Sequence, residues 1–297
     1  MSSPYPFLSK ISQKSGVTEE QALSIFKLEN DFHNAITQEE DFDKRQKLYE
    51  EVYLSVGKFF NTDEEAYFKK LIEVKSKIVR QFRKELLGKK LLDVGCGNGS
   101  FLYALAQSNT PMEALYGLDV KAPLFPKDEF GAKINCYQRN IIRFELPEQF
   151  DVLMLDNVYE HIAPQDKLYF LESMRNTCRP DGKIIMIVPH RMFGPTDFST
   201  IIDDTRSGKI KAQCVHLNET TFGELIEDLK SIGFSTFRTT IPFITLTPLR
   251  NWLPDLRLPA SWFVALERST TLIRWLQGIK FRGKCLFRME VILIATV

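Results

Sequence analysis

Three glycines at alternate positions, Gly95, Gly97 and Gly99, follow the apolar run Leu91-Leu92-Asp93-Val94 and precede a helical pattern of Phe101, Leu102 and Leu105. This order reads as a buried strand, a tight turn and a helix start. The chemistry open to such a turn is ligand binding by backbone. Glycine reaches φ > 0 and lets a ligand touch the main chain, and the first N–H groups of the helix favour an anionic group. Asp119 closes a second apolar run about twenty residues further on, where a carboxylate can accept hydrogen bonds from both hydroxyls of a ribose. Acid–base chemistry falls to the histidines. His161 stands just past a fourth apolar run, His190 just past a fifth, and His216 in the next connection.

The elements that must position these residues alternate from Lys89 onward. Strands are expected at Leu91–Val94, Ala114–Asp119, Ile134–Gln138, Phe150–Asp156 and Lys183–Val188, with helices after the glycine turn, at about Gln165–Cys178 and from Thr221. Continuous apolar strands alternating with amphipathic helices indicate a parallel sheet covered on both faces. Residues 1–88 carry helical periodicity and three capping-box patterns, Thr18 with Gln21, Thr37 with Glu40 and Thr62 with Glu65. They form a helical N-terminal extension, serving as a lid over a substrate site or as structural cover. Phe234–Phe243 and Met289–Val297 read as closing strands, separated by an insertion at about 245–287 with a helix from Ser261 to Gln277.

Composition excludes several classes. Over 297 residues, 44% are hydrophobic and the net charge is +1, which fits a soluble globular chain and argues against a general nucleic-acid binder. The five cysteines are scattered, as expected for reduced thiols without a zinc site. Met1–Pro6 has no basic segment ahead of an apolar core, and no apolar stretch is long enough to span a bilayer, so a cytoplasmic location is expected.

The glycine turn of dinucleotide enzymes needs its third glycine where this chain has Ser100. The series Leu92-Asp93-Val94-Gly95-Cys96-Gly97-Asn98-Gly99 instead resembles the first motif of class I S-adenosylmethionine-dependent methyltransferases. The resemblance covers about 89–235. It implies an α/β, Rossmann-like, mostly parallel seven-stranded sheet with helices on both faces and the last strand antiparallel, occupying 89–297 and interrupted by the insertion. It also implies S-adenosylmethionine as cofactor. Asp93, Gly95, Cys96 and Gly97 would form the turn against the methionyl and ribose portions, Asp119 would hold the ribose, and Val120 would lie beside the adenine. Asn140, whose side-chain oxygen can accept the adenine amino group, and the backbone of Ile141 would complete that end.

The segment Asn157-Val158-Tyr159-Glu160-His161 resembles the family's segment after the fourth strand, which places Asn157 at the cofactor and makes His161 a candidate base; His190 is a second candidate. Some relatives carry E-x-x-E-H here and hold a divalent ion. With Asn157 in place of the first acid, no metal is assigned. The stretch His190–Ser199, with His216-Leu217-Asn218, resembles a bacterial subgroup acting on small molecules or glycans. The implied activity is methyl transfer, O-methylation first, to a small-molecule or sugar acceptor. The alternative is a cofactor-binding pseudoenzyme or scaffold that meets a protein partner through its helical extensions. The oligomeric state is left open. The three tryptophans, Trp252, Trp262 and Trp275, all lie in the insertion among basic residues. They are expected to pack on the sheet or the N-terminal helices rather than on a membrane surface.

Overall fold

The computed structural model describes residues 4–57, 59, 64–121, 123, 125–126, 128–281 and 284–297. Four helices come first: α1 (Leu8–Ser15), α2 (Glu19–Gln38), α3 (Phe42–Gly57) and α4 (Glu64–Leu86). The Thr18 box forms as expected, its hydroxyl accepting from the Gln21 N–H while the Gln21 side chain accepts from the Thr18 N–H. Thr37 does not start a helix. It sits inside the last turn of α2 and donates its hydroxyl to the His33 carbonyl at 2.7 Å. Asp41 caps α3 instead, accepting from the Lys44 N–H at 2.9 Å. Thr62, the third expected cap, lies outside the described residues.

The sheet then builds from β1 (Lys90–Val94), α5 (Ser100–Gln107), β2 (Ala114–Asp119), β3 (Ile134–Gln138), β4 (Phe150–Asp156), α6 (Lys167–Thr177), β5 (Cys178–Pro189), α7 (Phe222–Ser231) and β6 (Thr236–Thr239). The insertion supplies α8 (Thr247–Trp252), β7 (Leu258–Pro259), α9 (Ser261–Glu267), α10 (Thr270–Gly278) and a small hairpin, β8 (Lys280–Phe281) with β9 (Lys284–Cys285). The closing strand is β10 (Glu290–Thr296). The strand order is β3-β2-β1-β4-β5-β10-β6-β7. β10 runs antiparallel to both β5 and β6, and the pairs from β3 to β5 are parallel. Seven of these strands are the expected ones. The eighth is β7, two residues of the insertion that pair antiparallel with the free edge of β6 and so cover an open row of backbone groups.

Both faces of the sheet are buried, in strict alternation. Leu92, Val94, Leu153, Leu155, Ile184 and Met186 meet Phe170 and Met174 of α6 and Phe222 and Leu225 of α7. Leu91, Val152, Met154, Ile185, Ile292 and Ile294 meet Phe82 and Leu86 of α4 and Leu102 and Leu105 of α5. α4 is therefore structural cover. α1 and α2 have a different post. Through Ile11 and Phe26 they pack on Ile201 and Cys214 of the connection after β5.

The insertion departs from expectation twice. Its single expected helix is broken at Ser269, whose hydroxyl accepts from the Leu272 N–H and caps α10. Its tryptophans do not pack inside: Trp252 is 76% exposed, and Trp262 and Trp275 are each 61% exposed. The core-facing positions of these helices belong to Phe263, Ile273 and Leu276, which leaves the tryptophans on the outer side.

Candidate active site

Strand C-termini of a parallel sheet leave a crevice where ligands bind. Here β1, β2 and β4 open on a cavity of about 330 Å³ lined by Gly95, Gly97, Asp119, Val120, Asn140, Ile141, Asn157, Val158 and His161, with Gln46, Tyr49 and Glu50 reaching in from α3. Eight of the sequence-expected residues thus meet in one space: Gly95, Gly97, Asp119, Val120, Asn140, Ile141, Asn157 and His161.

The glycine turn is held across to β2, because the N–H groups of Gly95 and Cys96 both donate to the Leu118 carbonyl. A Cβ at Gly95 would stand 2.7 Å from a Val158 methyl, so only glycine fits at its φ of +70°. Gly97 is glycine for conformation rather than space, since its φ is +54° and nothing lies within 4 Å of a Cβ built there. That backbone is open to the cavity. The Gly97 N–H donates to Asp119 Oδ2 at 2.8 Å, and the Lys121 N–H donates to Oδ1 at 3.2 Å. Two main-chain donors thereby aim the Asp119 carboxylate at the cavity mouth. Asn140 is also positioned by its neighbours. Its oxygen accepts from the Ile142 N–H at 2.7 Å, and its amide donates to Gln46 at 2.9 Å.

Asp93 and Cys96 do not line the cavity. The Cys96 side chain turns into the core beneath α5. Asp93 is buried under the turn, and burial raises its carboxyl well above the usual range against the opposing field of Lys75. Lys75 of α4 pairs with Asp156 at 2.5 Å and fixes the end of β4. Asn157 follows with φ +57°, in the left-handed region, its N–H donating to the Ile187 carbonyl.

Asn157 also lines a second cavity of about 90 Å³, shared with His190, Phe193, Thr196, Arg288 and Glu290. His190 is not available as a base. Its Nε2 meets Glu267 of α9 at 2.8 Å, and its Nδ1 accepts from the Met192 N–H. It ties the loop after β5 to the insertion. His161 does face the larger cavity, yet burial and the neighbouring His216 lower its pKa to about 3. It is neutral at physiological pH, and its imidazolium is too acidic to hold a proton taken from an acceptor.

Sequence reading placed His216 on the same rim without assigning it a role, and here it approaches His161 edge to face, with ring centroids 4.9 Å apart. Burial works against the His216 imidazolium. The hydrogen bond with Glu219, aided by Asp197 and Glu160, outweighs that and raises its pKa to about 9. Glu160 is fully buried, its pKa raised by desolvation to about 8, and among the described residues neither carboxylate oxygen has a side-chain hydrogen-bond partner. Ligand atoms of Glu160, His161 and His216 all lie within 4.8 Å of one another.

α3, which supplies Gln46, Tyr49 and Glu50 to the cavity wall, is held by an ion pair that no local pattern in the sequence marks. Arg45 and Asp166 are both buried, and the guanidinium meets the carboxylate through Nε at 3.0 and 3.1 Å and Nη2 at 2.5 Å. Beside them the Ala163 N–H donates to the Tyr49 hydroxyl at 2.7 Å.

Residues 66–256 match the methyltransferase domain family. Among curated proteins, the chain is similar to the ubiquinone biosynthesis O-methyltransferase of Pseudomonas fluorescens (strain Pf0-1), 30% identical over 138 residues. That match covers 43% of this chain and 57% of the relative, so the chain spans little more than half the length of the curated relatives it matches. Among solved structures, a SAM-dependent methyltransferase from Archaeoglobus fulgidus aligns at 17% identity and a TM-score of 0.47, covering 80% of this chain and all of that one (100%). The 1,6-didemethyltoxoflavin-N1-methyltransferase of Burkholderia thailandensis, solved with S-adenosylhomocysteine, aligns at 14% identity and a TM-score of 0.44, covering 76% of this chain and 77% of that one. By the family match over 66–256, the chain belongs to the methyltransferase domain family, as a class I S-adenosylmethionine-dependent methyltransferase.

Proposed function

We propose that the protein O-methylates a small-molecule or sugar acceptor held in the cavity beyond Asn157. The observation that carries this reading is that Asn157 lines both cavities, one of nucleotide size and one small. When bound, the cofactor would supply an electrophilic methyl group on a sulfonium, for in-line transfer to an acceptor oxygen that gives up its proton to solvent. Asp119 would hold the ribose hydroxyls, Gly95 and Gly97 the chain between ribose and methionyl group, and Val120, Asn140 and Ile141 the adenine. Asp93 and Cys96 would shape the turn from beneath. Positioning of two reactants supplies on the order of 7–11 kcal/mol, whereas a general base adds roughly 10²–10⁴-fold. The walls that orient the acceptor therefore matter more than any base, which suits a site whose two expected histidines are a feeble base and a structural tie. Similarity to an O-methyltransferase supports oxygen as the methylated atom. The test is a screen of hydroxylated metabolites and sugars, read as S-adenosylhomocysteine release and product mass. Methylation confined to nitrogen or carbon would overturn the oxygen assignment, and binding without turnover on any acceptor would favour the scaffold reading.

A second reading has its own observation, the convergence of Glu160, His161 and His216 with a fully buried carboxylate whose oxygens find no side-chain hydrogen-bond partner among the described residues. A divalent cation there would be held by three side chains and would draw the acceptor oxygen toward the methyl group. Treatment with a strong chelator separates the two. Activity that survives supports the ion-free reading, and activity lost and then restored by magnesium or zinc supports the cation.

A further inference from the structure

The insertion places every tryptophan of the chain on its outer surface. On α8 the exposed positions Pro248, Leu249, Trp252 and Leu253 share one helical face, and none carries charge. On α10 the exposed face holds Leu272, Arg274 and Trp275, and the following hairpin exposes Lys280 and Phe281, the latter at 64%. These pieces are joined. The Ile244 N–H donates to the Arg288 carbonyl, the Thr245 hydroxyl to the Leu286 carbonyl, and the Leu286 N–H to the Ile279 carbonyl at the end of α10. The start of α8, the hairpin and α10 therefore form a continuous structure.

We propose that this surface docks on an anionic lipid bilayer, with Trp252, Trp275 and Phe281 seated in the headgroup region. Large aromatic side chains left in water beside aliphatic ones mark an interaction site, and tryptophan is favoured at the membrane–water interface. Charge selects the occupant. Within 245–287 the acids are only Asp255 and Glu267, against Arg250, Arg257, Arg268, Arg274, Lys280, Arg282 and Lys284. Glu267 is engaged by His190 and by the N–H groups that start α7. Arg268, Arg274 and Lys280 are exposed and form no ion pair among the described residues. Basic residues flanking an apolar face are attracted to anionic lipid and repelled by a second copy of the same face. No helix among the described residues is long and apolar enough to cross a membrane, so the docking is to the surface. The same insertion reaches the small cavity, through Glu267 on His190 and Gln277 on the Met192 carbonyl. The docking proposal stands whatever acceptor is methylated.

Two of the chain's three tryptophans, Trp252 and Trp275, lie on this surface, so the full chain can be read by its own fluorescence. Mixed with vesicles of phosphatidylcholine and phosphatidylserine, the emission is expected to shift to the blue, and the protein to sediment with the vesicles, less so as salt rises. Vesicles of phosphatidylcholine alone are expected to bind at least about tenfold more weakly, as is a Trp252→Ser, Trp275→Ser variant or an Arg274→Glu, Lys280→Glu variant with mixed vesicles. Each variant should keep wild-type affinity for S-adenosylhomocysteine, which shows that the fold is intact. Unchanged emission with the protein left in the supernatant would overturn the proposal. So would the same tryptophan shielding on concentrating the protein without lipid, which would make a second copy the occupant.

Discussion

At the scale of single residues, Asp119 offers the sharpest test. Its two carboxylate oxygens are held by the Gly97 and Lys121 N–H groups, so the acceptor is in place before any ligand arrives. Asp119→Ala removes two hydrogen bonds to a charged acceptor, each worth about 1.5–3 kcal/mol. Calorimetry should find S-adenosylmethionine bound at least about a hundredfold more weakly, with Asp119→Asn in between; wild-type affinity in the alanine variant would remove Asp119 from the site. The buried cluster predicts a pH effect. Glu160 holds its proton up to about 8 in the fold against an ordinary 4.5, and His216 up to about 9 against 6.5. Both groups bind protons more tightly folded than unfolded, so their stabilisation is complete below the ordinary values and is lost as pH rises through the folded ones. Between pH 6.5 and 8 the two losses overlap, and the melting temperature should fall there. Glu160→Gln, which imitates the protonated acid, should flatten that fall and leave the parts due to His216 and to Glu29, whose pKa burial also raises to about 8. A melting temperature rising with pH across this range would contradict the assignment.

Among elements, α3 and its neighbours show what a sequence reveals and what it withholds. The glycine turn, the strands and the Thr18 and Thr221 caps were legible because their signals are local: period, spacing and a hydroxyl three residues from the N–H that donates to it. The Thr37 pattern misled because the same hydroxyl has a closer option, the carbonyl one turn back within α2. Arg45 and Asp166 stand 121 residues apart, and nothing local in either marks the pairing. The sequence set His216 on the rim with His161, but its closure with Glu160 into one buried cluster is hidden for the same reason. Arg45→Met leaves the Asp166 carboxylate buried and unpaired, and chemical denaturation should show a loss of about 3–5 kcal/mol. Adding Asp166→Leu should recover much of it, since two apolar side chains replace a buried pair with little penalty. A double variant no more stable than the single one would assign the loss to packing instead of charge.

The whole molecule is a sheet with two kinds of cover, and they should respond differently to ligand. α3 contributes Gln46, Tyr49 and Glu50 to the cofactor cavity, whereas α4 is packed on the sheet by Phe82 and Leu86 and lends only Lys75 to the site's underside. Bound S-adenosylhomocysteine should slow amide hydrogen exchange in 42–57 far more than in 64–86; equal protection of both would make the extension a single rigid cover. Between the cavities stands Asn157, and its left-handed backbone has an evolutionary consequence. Asparagine, aspartate and glycine rest there easily, whereas a β-branched or bulky residue meets its own backbone. Drift in a lineage descending from this chain is thereby channelled: the partition can vary only among short polar residues or glycine. The walls of the small cavity beyond it are under no such restriction, so new acceptors would be acquired on that side while the cofactor side stays as it is.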